Sequence, residues 1–253
     1  MKYITSRKNP VVGQINSIRT KPSEEAFLLQ GEKFINDIDP SDIKMLFTTD
    51  EKKYASLFEK LPQNSEKFLV TAEVMEKLSG TVSPSSLLAV VCKKNPPLPK
   101  KLILLDCLQD PGNVGTVVRT AKAFGFGVIC GGGADPLSEK SVRSSAGACL
   151  TTFVKKLPMI DAVESLKKNG YAIYGTALNQ YSCDLQSAVE NLPEKVAFII
   201  GSEGKGMSPK LFSLCDKTVY IPIEGVESLN AAVAAGIIMY ESSAKIKSKE
   251  RLL

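Results

Sequence analysis

Five short segments after residue 101 of this chain are almost entirely apolar. They are Leu102 to Leu108, Val128 to Cys130, Ala172 to Tyr174, Val196 to Ile200 and Thr218 to Ile221. Apolar runs of this length are typical of parallel strands that are buried on both faces. Segments with apolar residues at helical spacing lie between them. The alternation predicts an α/β fold with a parallel sheet that helices cover.

A proline-rich segment at residues 95–101 divides the chain, because prolines interrupt both helices and strand ladders. We therefore expect a linker at 95–101 between a first domain, residues 1–94, and a second domain, residues 102–253. The first domain also alternates strands and helices, which predicts a small α/β layer domain. Its predicted strands are Ala26 to Gln30, Ile43 to Thr48, Lys67 to Val70 and Leu87 to Cys92, and its predicted helices are Glu32 to Ile38, Tyr54 to Lys60 and Ala72 to Leu78, with a short helix ending near Asn16 to Arg19.

The amino-acid composition excludes several kinds of catalytic mechanism and metal site. The chain has no histidine, which excludes a Ser-His-Asp or Cys-His mechanism and any histidine-bound metal. Its six cysteines form no Cys-x-x-Cys pair, so we expect neither a disulfide framework nor a zinc site, and a reducing cytoplasm is favoured. We identify no signal peptide and no run of the roughly 20 apolar residues that span a bilayer. The net charge of +5 permits a polyanionic partner without requiring one.

Three polar loops that contain glycine follow the apolar strands, where the ligands of open α/β sheets bind. The first is Gln109 to Thr116, in which Asn113 has the position of a helix N-cap. Arg119 follows it at the rim of the apolar helix face, a position suited to holding a phosphate. The second loop is Gly201 to Ser208, and the third is Ile221 to Asn230.

Each loop also has a purely structural interpretation. Asn113 and Ser228 would be helix N-caps, Arg119 would be solvated, and the glycine-rich loop would be a turn before a helix that begins at Ser208-Pro209. The glycine-rich loop matches neither the dinucleotide fingerprint nor the phosphate loop. This absence argues against a nucleotide-dependent enzyme of the doubly wound type.

The last predicted helix runs from Ser228 to about Lys247 and is apolar nearly all round. Such a helix is expected to be buried, and a subunit interface is one way to bury it.

Together and in this order, the three loops resemble the motifs of the SpoU (TrmH-like) RNA 2′-O-ribose methyltransferases, a class within the SPOUT superfamily. The matching stretches are Asp106 through Thr120, Phe198 through Gly206, and Ile221 through Ala235, with Ala134 to Pro136 and Ser141 to Gly147 resembling the family's linking segment. Thr5 to Pro10 and Leu29 to Glu32 resemble the RNA-binding domain that precedes the catalytic domain in many members. The chain departs from the common pattern at Ser202, often asparagine in relatives, and at Ser83 to Ser86.

The resemblance implies a catalytic domain with a deep trefoil knot, an L30e-like first domain, and a homodimer packed through the C-terminal helix. It implies S-adenosylmethionine as cofactor, with contacts from Thr176, Gly201, Ile221 and Leu229, and no metal. The implied catalytic residues are Asn113, Arg119, Glu203, Ser228 and Asn230.

The roles that we assign to these residues follow from their chemistry. Arginine stays protonated in proteins, so Arg119 is expected to hold the phosphate beside the target ribose and to stabilise developing alkoxide charge, rather than to act as a base. Glu203 would orient Asn113 and Arg119. Ser228 and Asn230 would shape the ribose and cofactor site.

RNA is the expected substrate, with large-subunit 23S rRNA preferred. Basic residues of the first domain would recruit it, although a solvated basic face is the alternative: Arg7, Lys8, Arg19 and Lys21. A tRNA 2′-O-methyltransferase and a non-catalytic RNA-binding protein of the same fold remain open. Absence of S-adenosylmethionine binding would favour the second.

Overall fold

The computed structural model describes residues 1–20, 26–202, 204 and 206–250, and the chain divides into two compact units, Met1–Lys94 and Asn95–Leu253. Each unit is built of strands and helices around its own sheet. The α/β fold that the alternation of apolar segments predicted is confirmed.

The first unit alternates short strands with short helices. In chain order these are β1 (Lys2–Ile4), α1 (Pro10–Thr20), β2 (Ala26–Gln30), α2 (Glu32–Asn36), β3 (Ile43–Thr48), α3 (Ala55–Lys60), β4 (Glu66–Val70), α4 (Ala72–Ser79) and β5 (Leu87–Cys92). The sheet order is β1-β4-β3-β5-β2, in which β4 is parallel to both neighbours and β5 is antiparallel to both. Phe47 and Phe68 stack in its core with ring centroids 4.6 Å apart.

Strands β2, β3 and β5 have the bounds that the sequence predicted. The elements at the start of the chain, β1 and α1, differ from the prediction. The predicted helix end near Asn16 to Arg19 belongs to the longer α1, which begins at Pro10 because the side chain of Asn9 accepts a hydrogen bond from the Val11 N–H at 3.0 Å. β1 was not predicted. It has only three residues, of which one is buried, and so shows no alternation.

The second unit has a longer parallel sheet. Its elements are β6 (Lys101–Asp106), α5 (Pro111–Phe124), β7 (Gly127–Gly131), α6 (Glu139–Ser144), β8 (Val154–Lys156), α7 (Met159–Lys168), β9 (Ala172–Thr176), β10 (Cys183–Asp184), α8 (Leu185–Ala188), β11 (Val196–Ile200), α9 (Pro209–Phe212), β12 (Lys217–Tyr220) and α10 (Ala231–Glu250). The sheet order is β10-β12-β9-β11-β6-β7-β8, and every pairing is parallel.

Both faces of this sheet are covered. On one face Leu102 and Leu104 pack with residues of α7 such as Val163. The alternate residues Ile103 and Leu105 are also buried. Strand β11 lies between β6 and β9, so the carboxyl ends of three strands from distant parts of the sequence meet at one edge.

Two helix starts differ from the prediction. Asp110, not Asn113, caps α5, since its carboxylate accepts the Gly112 N–H at 3.0 Å and Pro111 takes the first helical position. The last helix begins at Ala231, not Ser228, because the Asn230 side chain accepts the N–H groups of Ala232 at 2.9 Å and Val233 at 3.3 Å. Ser228 therefore precedes the helix.

Within the single chain α10 is buried on one side only, so its complete burial in a subunit interface stays a prediction. Ala235, Ile238 and Met239 are fully buried within the second unit. Val233 and Tyr240 are 51% and 58% exposed. One face of the helix therefore packs on its own unit, and an apolar stripe remains outside it.

Candidate active site

The carboxyl-end loops of β9, β11 and β12 enclose a cleft of about 860 Å³. Its walls are mostly apolar and include the start of α10. The lining residues are Thr176, Ala177, Leu178, Ile200, Gly201, Ser202, Gly206, Val219, Tyr220, Ile221, Pro222, Ile223, Glu224, Val226, Glu227, Ser228, Leu229, Ala231, Ala234 and Ile238. The four residues predicted to hold a cofactor, Thr176, Gly201, Ile221 and Leu229, all lie on this wall.

The loop after β11 folds back on itself at the cleft. Ser202 and Gly206 exchange backbone hydrogen bonds of 3.1 and 2.9 Å. A side chain at Gly201 is impossible without movement, because its Cβ would lie 2.4 Å from the carbonyl carbon of Gly206. The Ser208 N–H donates to Asp106 at 3.2 Å, which fixes the loop to the end of β6. Glu203, predicted to be catalytic, lies outside the described residues.

Two predicted catalytic residues meet beside this cleft. The Nδ2 of Asn230 donates to Oδ1 of Asn113 at 3.2 Å, although 117 positions separate them in the sequence. The Oδ1 of Asn230 caps α10, which fixes which way its amide faces. The contact joins the first turn of α5 to the residue that caps α10, within one chain.

Arg119 and Ser228 are placed differently. Arg119 is exposed on α5, and among the described residues its guanidinium forms no hydrogen bond or ion pair. Ser228 is exposed and lines the cleft. Thr176 also lines the cleft, but its hydroxyl donates to the Ile199 carbonyl at 2.8 Å. The hydroxyl proton is therefore already hydrogen-bonded to a strand of the sheet.

Sequence reasoning missed Glu224 and Glu227, which lie on the cleft wall and are exposed. Two carboxylates in the loop before a helix were the available signal, but acidic residues in loops are common. Their side chains add two acidic groups to the cleft wall.

The N-cap of α5 carries a further ion pair. Lys140 lies 2.8 Å from Oδ1 of Asp110, and with the Gly112 N–H it lowers the pKa of that carboxyl group. The pair connects α6 to the loop that precedes Asn113.

The basic residues predicted to recruit RNA belong to the first unit, and two of them, Arg7 and Arg19, lie beside α4. Arg7 binds Glu76 at 3.0 Å and the Glu73 carbonyl at 3.0 Å. Arg19 donates to Asn16 at 3.4 Å, and its guanidinium lies against Gly80 at the end of α4. Lys8 is exposed, and Lys21 lies outside the described residues.

Two general properties concern the described part of the chain only. No helix there is long and apolar enough to cross a membrane. Within the same residues, no group of three cysteine, aspartate or glutamate side chains could hold a metal ion.

Comparison with known proteins gives consistent matches along the chain. Residues 100–240 match the SpoU rRNA Methylase family. The chain is 33% identical over 250 residues to the 23S rRNA (guanosine(2553)-2′-O)-methyltransferase RlmP of Bacillus subtilis, a match that covers 95% of this chain and 98% of that protein.

Solved structures agree with these matches. An AdoMet-bound rRNA methyltransferase from Sinorhizobium meliloti superposes with a TM-score of 0.78 at 25% identity, covering 97% of this chain and 98% of that one. The SpoU methyltransferase AviRb from Streptomyces viridochromogenes, in complex with AdoMet, gives a TM-score of 0.74 at 27% identity over 95% and 99% of the two chains.

Proposed function

Because this chain belongs to the SpoU rRNA methylase family, whose members here are S-adenosylmethionine-dependent RNA methyltransferases, we propose that it methylates a ribose 2′-hydroxyl of 23S rRNA. The observation that carries the proposal is that the loops after β9, β11 and β12 meet at one cleft, with Asn113 and Asn230 in contact beside it. The guanosine that RlmP methylates is the first nucleotide to examine, since the identity to that enzyme extends over nearly the whole chain.

The cleft fits S-adenosylmethionine in size, surface and charge. Its volume of about 860 Å³ is within the range of small-molecule sites. Ile221 and Leu229 offer apolar surface for the adenine, and Gly201 lets backbone groups approach the ligand. Glu224 and Glu227 complement the positive charges of the sulfonium and ammonium groups. The cofactor, when bound, supplies a methyl group that is already activated.

The chain's own residues then have to place the ribose and manage its proton. We assign Arg119 to the phosphate beside the target ribose, where a fixed cation also stabilises developing negative charge on the 2′-oxygen. Its exposure and lack of a partner among the described residues leave the guanidinium available for this contact. Asn113, Asn230 and Ser228 would hold the ribose in line with the methyl group. Glu203 would orient Asn113 and Arg119.

The first unit would recruit the RNA as an L30e-like domain. Lys8 supports this role best, because it is exposed, whereas Arg7 is engaged with Glu76. Contacts of this kind to phosphates make affinity fall with salt.

Three finer features of the family also belong to the proposal. A trefoil knot is supported by the insertion of β11 between two earlier strands and by the packing of α10 on α5. A homodimer through α10 is supported by its exposed stripe, which includes Val233 and Tyr240. A cytoplasmic location is supported by the six cysteines, none of which forms a disulfide in the described part of the chain.

The test is methyl transfer from radiolabelled S-adenosylmethionine by the purified full-length chain. We expect label in 23S rRNA from cells that lack this enzyme, and no label in 23S rRNA from wild-type cells. Mapping by nuclease resistance should locate one 2′-O-methyl nucleotide. Label in tRNA alone would replace the proposed substrate, and label on a base would refute ribose methylation.

A further inference from the structure

Lys140 connects two helices through a single oxygen atom. Its Nζ lies 2.8 Å from Oδ1 of Asp110, and that same oxygen accepts the Gly112 N–H at 3.0 Å. Lys140 belongs to the first turn of α6, whereas Asp110 is the N-cap of α5. The charge on one helix is therefore fixed to the first turn of another.

The two helices are also in backbone contact next to this ion pair. A Cβ at Gly115 would lie 2.4 Å from the Ser141 carbonyl oxygen and 2.6 Å from Cβ of Ser144. Ser141 is fully buried, and its hydroxyl donates to the Asp135 carbonyl at 2.7 Å. Helix α6 therefore packs closely against α5. The ion pair of Lys140 adds a contact at the N-terminal end of α5, where Asn113 lies.

We propose that Lys140 is a positioning residue for methyl transfer: through Asp110 it fixes the first turn of α5, and with it the direction in which Asn113 meets Asn230. Asn113 is three residues beyond Asp110, so a rotation of the cap moves its amide directly. The contact at risk is the 3.2 Å hydrogen bond between the two asparagines. The inference rests on the proposed function, because only methyl transfer requires this alignment.

Because the Lys140–Asp110 pair is exposed, an effect of Lys140 on the reaction rate can be distinguished from an effect on folding stability. The side chains of Lys140 and Asp110 are 66% and 46% exposed, and exposed ion pairs contribute little to folding. A small error in placing reacting groups, by contrast, lowers a rate strongly. Loss of the pair should therefore reduce the rate and leave the melting temperature nearly unchanged.

The experiment compares Lys140→Met, Lys140→Arg and Lys167→Met in the full-length enzyme. Lys167 is a matched control, since it forms an exposed ion pair of 2.7 Å with Asp216, away from the cleft wall. Single-turnover rates are measured at saturating 23S rRNA, together with S-adenosylmethionine affinity, RNA affinity and melting temperature. We expect Lys140→Met to lower the rate about tenfold, with both affinities within about twofold of wild type. Lys140→Arg should recover most of the rate, and Lys167→Met should retain it.

Other results overturn the inference. An unchanged rate in Lys140→Met, with an active wild type, refutes positioning and leaves the proposed function intact. An equal loss in Lys167→Met, or a loss that arginine does not restore, indicates a general structural effect. Weaker RNA binding with a normal rate at saturation makes Lys140 a phosphate contact instead. An inactive wild type on every RNA refutes the proposed function itself.

Discussion

The sheet of the second unit is parallel throughout, whereas the sheet of the first unit contains parallel and antiparallel pairs. In a parallel sheet every strand ends at the same edge, so loops from distant parts of the sequence must meet there. Asn113 and Asn230 meet in this way. A mixed sheet imposes no such convergence, and Arg7 and Arg19 of the first unit lie beside helix α4 rather than at strand ends. The topology therefore predicts a concentrated site in the second unit and predicts none in the first.

Arg119→Ala provides the strongest test of a concentrated site. We expect the single-turnover rate to fall by about 10² to 10³, because a fixed cation is lost where charge develops. S-adenosylmethionine affinity should stay within about twofold, since Arg119 is not on the cleft wall. Calorimetry and rate measurements check both statements.

Arg119→Lys refines this result. A lysine keeps the charge but loses the planar pair of donors that grips a phosphate. Full activity of this variant would contradict the proposed bidentate contact. Near-normal activity of Arg119→Ala would remove the contrast between the two units altogether.

Asn230 allows its two structural roles to be separated. Asn230→Asp keeps the oxygen that caps α10 but replaces the donor to Asn113 with a second acceptor. We expect a rate loss of about tenfold or more with near-normal stability. Asn230→Ala should lose activity and also about 1 kcal/mol of unfolding free energy, because the cap is removed.

Urea denaturation and single-turnover kinetics distinguish these outcomes. If Asn230→Asp is fully active, the contact with Asn113 has no part in the reaction. The role of Asn230 is then only to cap α10.

The sequence indicated the cleft wall but not the details of its helix caps. Strand ends and glycine-rich loops identified the neighbourhood of Gly201, Ile221 and Leu229, because burial and backbone geometry leave a local signal. Asp110 and Asn113 are both good N-cap residues, as are Ser228 and Asn230, so type alone could not choose between them. In the structure, the side-chain contacts of Asp110 and Asn230 decide the matter.

Contacts between residues far apart in the sequence were the other feature that the sequence could not predict. The ion pair between Lys140 and Asp110 joins residues 30 positions apart and leaves no periodic pattern in the sequence. The same applies to the engagement of Arg7 by Glu76, which reduced its value as an RNA contact. Glu203 and Lys21 remain predictions.

The acidic wall of the cleft should matter for cofactor binding alone. We expect Glu227→Gln combined with Glu224→Gln to weaken S-adenosylmethionine binding about three- to tenfold, as loss of partly screened charge pairs does. S-adenosylhomocysteine has no sulfonium charge, so its affinity should fall less. Calorimetry at two salt concentrations measures both. Equal losses for the two ligands would show that the carboxylates do not sense the sulfonium.

The smallest effects are expected in the first unit, whose mixed sheet does not bring every loop to one edge. Lys8→Ala should weaken RNA binding about two- to threefold. The slope of log affinity against log salt concentration should fall by about one, which corresponds to the loss of one phosphate contact. Arg7→Ala is the matched control, because its guanidinium already binds Glu76 and the Glu73 carbonyl. It should alter stability slightly and RNA affinity hardly at all. Filter binding across a salt series checks this pair. A loss of a hundredfold in either variant would indicate a concentrated RNA site in this unit as well, and the contrast drawn from sheet topology would then fail.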